Sequence, residues 1–140
     1  MITPTQITIE TTVHAPLEKA WECWNTPEHI MQWNHASDDW HSPSATVDLR
    51  EGGTFTARME AKDGSVGFDF GGTYTTVIDQ KEIGYTMDDG RTVCITFDGH
   101  GDHTHVTETF DAESENPVEM QRAGWQSILD NFKTYTESQA

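Results

Sequence analysis

Basic residues are scarce in this chain: 8 lysines and arginines stand against 24 aspartates and glutamates, for a net charge of −16. Phosphate backbones and anionic lipid surfaces are bound by clustered Lys and Arg, so neither nucleic acid nor membrane is expected as a partner. What the acidity permits is solubility and the attraction of a basic partner. Long apolar runs are missing as well. No stretch approaches a membrane span, and the opening MITPTQITIE has neither the basic nor the apolar region of a signal peptide. The location expected of a chain without such an address is the cytoplasm. Cysteine is nearly absent. Cys23 falls in a helical pattern and Cys94 in a strand pattern, which predicts reduced structural thiols rather than a disulfide.

Catalytic and cofactor signatures are missing too. There is no HExxH, no paired CxxC, no phosphate-cradling Gly-rich loop, no G-x-S-x-G elbow and no Cys–His pairing of defined geometry. No cofactor and no metal are expected. His103 and His105 are spaced to share one face of a strand, with His100 in the preceding turn, but a stable site wants a third or fourth ligand and none is defined.

What is present is a long amphipathic stretch at the C-terminus. Between Asn116 and Tyr135, Val118, Met120, Trp125, Ile128, Leu129, Phe132 and Tyr135 fall on one helical arc, and Glu119, Arg122, Gln126, Asp130 and Lys133 on the opposite one. Asn116 is expected to cap, Pro117 to take the first helical position and Glu119 to complete a capping box. Gly124 is the single weak position in this helix, at about 1 kcal/mol relative to Ala.

Ahead of it, residues 6–13 alternate with Ile7, Ile9 and Val13 on one side and predict a strand. Pro16 opens a short helix carrying Leu17, Ala20, Trp21 and Trp24. Thr26 and Pro27 start a second, with Ile30, Met31 and Trp33 buried. Residues 34–44 are polar and turn-like apart from Trp40. Six strands are then predicted, carried by Val47 and Leu49; by Phe55, Ala57 and Met59; by Val66, Phe68, Phe70, Tyr74 and Ile78; by Ile83, Tyr85 and Met87; by Val93, Ile95 and Phe97; and by Val106 and Phe110. Asp63-Gly64, Asp89-Gly90 and Asp98-Gly99 supply hairpin chemistry, and Gly71-Gly72 suggests a bulge or sharp bend. The expectation is one α+β domain over residues 1–140, with elements in the order β-α-α-β6-α. Its antiparallel sheet of about seven strands curves around the last helix and leaves a cavity beneath it.

This pattern resembles the helix-grip fold of the START and pollen-allergen superfamily (SRPBCC). More narrowly, it resembles the branch homologous to the C-terminal domain of Aha-type activators of heat-shock-protein ATPase. The resemblance rests on HAPLEKAWECWNTPEHIMQW at 14–33, ASDDWHSP at 36–43, LREGGTFTARMEAKDGSVGFDFGGTY at 49–74 and VTETFDAESENPVEMQRAGWQSILDNFKTY at 106–135. It implies the fold. It does not fix the function, because the fold hosts carriers, cyclases, hydrolases and co-chaperone modules alike. Aha-type activators carry a further N-terminal domain that makes much of the chaperone contact, whereas this chain opens on the first strand.

Trp33, Trp40, Phe55, Met59, Phe68, Phe70, Tyr74, Tyr85, Met87, Met120, Gly124 and Trp125 are the expected pocket residues, each with core packing as its alternative. Glu108 shares strand parity with Val106 and Phe110; pointing inward with them it would anchor a ligand hydroxyl or amine, with burial of that strand face on the outer side of the sheet as the alternative. In the loop after the short helices, His35, Asp38, Asp39 and His41 are the acid–base candidates beside Glu108, with turn capping as the alternative for the aspartates. Three functions follow. A small apolar or aromatic molecule is bound without reaction; a cyclase or hydrolase uses the 35–41 loop and Glu108; or the domain regulates a chaperone. The assembly expected is a monomer or homodimer.

Overall fold

A computed structural model of the chain describes residues 5–35 and 37–139. Residues 1–4, Ala36 of the expected polar loop and Ala140 lie outside it. Strand β1 (Gln6–Val13) is followed by helices α1 (Leu17–Asn25) and α2 (Pro27–Trp33). Six strands come next: β2 (Trp40–Val47), β3 (Thr54–Ala61), β4 (Gly67–Ile78), β5 (Glu82–Met87), β6 (Thr92–Gly99) and β7 (Thr104–Asp111). Helix α3 (Val118–Gln139) closes the chain. The strands form one antiparallel sheet in the order β1-β7-β6-β5-β4-β3-β2, curled into a half-barrel. Each strand from β2 to β6 pairs with its successor, as short connections require, β7 also pairs with β1, and β1 and β2 form the two edges.

Local chemistry explains most boundaries. Gly64 and Gly90 adopt φ of 76° and 93° in the two turns where Asp-Gly pairs are expected. The third turn falls elsewhere. Strand β6 runs through Asp98 to Gly99, and Gly101, with φ of 81°, makes the reversal. His103 therefore precedes β7 instead of sharing its face with His105. Strand β2 begins inside the stretch expected to be a loop, and Leu49 lies beyond its end. Edge pairing with β3 satisfies its backbone although its side chains are polar. Its register slips between His41 and Ser44, where Pro43 has no N–H to give.

Gly71 and Gly72 pair in regular register, so no bulge lies there. A Cβ at Gly71 would stand 2.5 Å from the carbonyl oxygen of Phe55, and one at Gly72 2.5 Å from that of Thr86. The two glycines let neighbouring strands close in where the sheet curls. The bulge comes next, between Tyr74 and Thr76, and it reverses the parity of the strand. Val77 consequently packs against the core while Ile78 is exposed; Val66, outside the strand, is exposed as well.

The helix starts differ from simple capping. Thr26 holds the cap position of α2, but its side chain makes no capping bond. At α3, the carbonyl of Pro117 receives the first helical N–H groups, so Pro117 sits one position before the helix. Gln121 replaces the expected Asn116–Glu119 box: its amide donates to the carbonyls of Asn116 and Glu113 at 2.8 and 3.2 Å and accepts the Glu113 N–H at 2.8 Å. Met120, expected on the apolar arc, is 61% exposed, and Gln121 is buried in its stead.

Helix α3 approaches the backbone of β1 and the two short helices, and stands off from the middle of the sheet. Arg122 and Gln126 donate to the carbonyls of Thr8 and Glu10, covering part of the open edge of β1. Towards the helix C-terminus, Phe132 meets the rings of Trp24 and Trp33 at centroid distances of 4.8 and 5.1 Å. Trp21, Trp24 and Phe97 extend this aromatic core. Cys23 is buried on α1 and both cysteines are free thiols.

The glycine geometry makes a direct prediction. Gly72→Ala should cost roughly 3 kcal/mol, because a backbone carbonyl must move. Gly124→Ala should stabilise by up to ~1 kcal/mol, because a Cβ there meets nothing within 4 Å. Urea denaturation of the two variants checks both signs.

Candidate functional site

Where α3 stands off the sheet, a cavity of about 470 Å³ remains between them. Its sheet wall is aromatic: Phe55, Phe70, Tyr74 and Tyr85 form one cluster, with Phe55 and Tyr85 centroids 4.6 Å apart. The helix supplies Gly124, Trp125, Ile128 and Leu129. Trp125 lies flat on Phe110 at a centroid distance of 3.8 Å and meets Phe70 in a T-shaped contact at 6.1 Å. Trp33 closes the far side, fixed by a 3.0 Å hydrogen bond from its Nε1 to the carbonyl of Cys23. Phe68 and Met120 line the cavity while remaining half or more exposed, as an apolar lip.

Glu108 is the exception in this lining. Its cross-strand partners are Ile9 and Ile95, and Val106 and Phe110 flank it on the same face of β7. The residue is buried, and burial alone raises its carboxyl to about 8, so the acid is mostly protonated near neutral pH. Tyr85 is pushed well above the usual phenol range, by burial first and by the nearby Glu108 second. Burial also raises Tyr74. Glu108, Tyr74 and Tyr85 are thus lining residues whose oxygens burial keeps protonated.

A polar group borders the same space. Arg91 projects from the β5–β6 turn, engaged by Asp89 at 2.8 Å. Glu113 and Asn116 border it from the β7–α3 connection, Gln121 from the first turn of α3, and Asn34 from the end of α2.

Eleven of the expected pocket residues line this one space: Trp33, Phe55, Met59, Phe68, Phe70, Tyr74, Tyr85, Glu108, Met120, Gly124 and Trp125. Two do not. Trp40 packs on Phe68 at 5.9 Å from the outer part of β2, and Met87 is buried in the core at the end of β5. The acid–base loop does not converge with Glu108. Asp38 and Asp39 are exposed, and Asp39 accepts a 2.6 Å bond from the Ser37 hydroxyl that holds it below the usual carboxylate range. His41 lies 3.8 Å from Glu60. His35 is half-buried, with its pKa lowered chiefly by burial, and does not reach the cavity wall. His100 and His103 stack on each other and each meets a neighbouring aspartate, while His105 meets Thr12 at 3.1 Å. Among the described residues no group of three or more His, Cys, Asp or Glu is placed to hold a metal ion.

Sequence reasoning missed the polar border. Gln121 had a usable signal, since it lies on one helical arc with Trp125, Ile128 and Phe132. Arg91 and Glu113 had none, because turns position them.

The comparisons with known proteins fit this geometry. A match to the family described as "Activator of Hsp90 ATPase homolog 1-like protein" spans residues 14–137. The chain belongs to this family. Among solved structures, the AHSA1-like protein of Aeromonas hydrophila is 47% identical, with a TM-score of 0.91 over 96% of this chain and 94% of that one. A Cytophaga hutchinsonii protein is 54% identical, with a TM-score of 0.82 over 96% and 93%. A Nitrosomonas europaea protein, 20% identical with a TM-score of 0.83 over 99% and 100%, shares the fold. No curated protein matches the chain. In this member, no helix among the described residues is long and apolar enough to cross a membrane.

The buried acid makes stability depend on pH. Its folded-state value of about 8 lies above the ordinary 4.5, so between these values the folded protein holds a proton that the unfolded chain has released. The contribution of Glu108 is therefore full below that window and declines through it as pH rises, by up to ~1.4 kcal/mol per pH unit. Glu108→Gln should remove this decline. Denaturation midpoints of the two proteins should diverge in favour of the variant from about pH 5 to about pH 8. Parallel profiles would show that Glu108 is not the group responsible.

Proposed function

We propose that this protein binds a small apolar or aromatic molecule, without reaction, in the cavity between the sheet and α3. The observation that carries this reading is the combination of an aromatic-walled space with one buried, cavity-facing acid. Small-molecule sites occupy roughly 300–1,000 Å³ and combine apolar walls with a few placed polar groups. The volume here, about 470 Å³, falls within that range. An apolar core of the same size would be filled by side chains. The enzymatic alternative asked the 35–41 loop to meet Glu108 at one site. Among the described residues the loop contributes no acid or base to the cavity lining, which supports a binding role for Glu108.

The family description supplies a second reading, a chaperone-ATPase regulator. The exposed Val66, Phe68 and Met120 favour it, as apolar surface available to a protein partner. An Hsp90-type chaperone whose ATPase rate is unchanged by a saturating amount of this protein would remove that reading.

The ligand reading is tested at Gly124. The backbone at Gly124 is helical, a Cβ added there meets nothing within 4 Å, and the residue lines the cavity, so a larger side chain has room to start into that space. Gly124→Leu should leave the melting temperature near that of the wild type and weaken the binding of a neutral naphthalene derivative by about tenfold or more. Quenching of tryptophan fluorescence reads the binding, since Trp33 and Trp125 line the site. Undiminished binding in the variant would place the ligand elsewhere.

A further inference from the structure

Glu108 is the cavity residue that its surroundings oppose most. Ile9 and Ile95 lie directly across from it, and Val106 and Phe110 stand on either side. Among the described residues its carboxyl has no hydrogen-bond partner, and it faces the cavity. A ligand carbonyl or hydroxyl could be met there by Gln, Ser or Tyr with no ionisable group in the core. What a carboxylate adds over those residues is a counter-ion for a cation.

The rest of the site agrees in sign. Aromatic rings attract cations as well as apolar bodies, and Phe55, Phe70, Tyr85 and Trp125 are among the residues lining the space. Arg91, the one basic residue among those lining the cavity, is already engaged by Asp89. Glu113 adds a second carboxylate at the border. A net charge of −16 raises the local concentration of cations around the protein and lowers that of anions.

We propose that the ligand of this cavity is an apolar amine, its protonated nitrogen received by the carboxylate of Glu108. This rests on the ligand-binding reading and narrows it to a chemical class. Burial keeps the acid protonated in the empty site. An arriving ammonium displaces that proton to solvent, and an arriving free amine takes it directly; both routes end in the same ion pair. The apolar remainder of the ligand replaces water against the aromatic walls.

The test uses three molecules with one apolar body: naphthylethylamine, naphthylethanol and naphthylacetate. Each is titrated into the intact protein at neutral pH and followed by calorimetry. The amine should bind about tenfold or more tightly than the alcohol, and the carboxylate most weakly. Glu108→Gln, close in shape to the native residue, should erase the preference for the amine, so that amine and alcohol bind the variant within about threefold of each other. An alcohol that binds as well as the amine to the wild-type protein overturns the amine assignment and leaves the cavity a neutral-ligand site. A preference for the amine that survives in a folded Glu108→Gln variant also overturns it. Binding of none of the three overturns the ligand reading and this inference together. The comparison within the wild type stands whether or not the variant folds.

Discussion

The indole of Trp125 lies on the ring of Phe110, 8° from parallel, and the height of the closing helix above the sheet follows from that contact. A helix packed through small side chains would settle onto the strands. Here a flat aromatic pair fills the gap at one place and props it open beside that place. The other supports are lateral. Arg122 and Gln126 tie the helix to the free edge of β1, the Gln121 network fixes its first turn, and Phe132 seats its later half among Trp24 and Trp33. With one side and both ends held, the span over β3 to β6 is left without direct backbone support, and the cavity occupies it.

The cavity and the core divide along the helix. Phe132 is fully buried and meets the rings of Trp24 and Trp33, whereas Gly124 has open space where a Cβ would stand. The sheet repeats the division. Val106 and Phe97 pair under the aromatic core, while Glu108, one step further along the same face of β7, is turned to the cavity. An apolar residue at that position would suit Ile9 and Ile95 better and would remove the pH-dependent penalty of a buried acid. A group that weakens the fold and faces an accessible space is the pattern expected of a binding site, where local consistency gives way to function.

The architecture was legible because it rests on periodicity. Alternation at Ile7 and Ile9, at Phe55, Ala57 and Met59, and at Ile83, Tyr85 and Met87 reports directly on which side chains face the helix. Parity placed Glu108 on the inner face with its apolar neighbours. What the chain did not reveal depends on pairing rather than pattern. β2 is polar and exists because β3 offers it a ladder, so its start at Trp40 has no local signal. The bulge between Tyr74 and Thr76 changes parity in mid-strand, and only the register with β5 discloses it. Arg91 and Glu113 sit in turns whose direction in space depends on the whole sheet. The loop of His35, Asp38, Asp39 and His41 offered suitable residue types, but side-chain chemistry alone carries no information about which way a loop faces.

The charge of the molecule bears on the cavity as well as on solubility. Acidic residues are spread over the surface, and most ion pairs join partners that are both substantially exposed and contribute little to stability. Their collective effect is a field, and a field matters most where the dielectric is low and water is excluded. Inside the cavity the walls are apolar and the carboxyl of Glu108 is kept neutral by burial, so in the empty protein the surface charge finds no ionised partner there. Separation of an acid from the solvent that would ionise it is itself a store of potential selectivity. On the amine proposal the group becomes a charge only when a cation is there to stabilise it; in the empty cavity its apolar neighbours on β1 and β6 hold it as an acid.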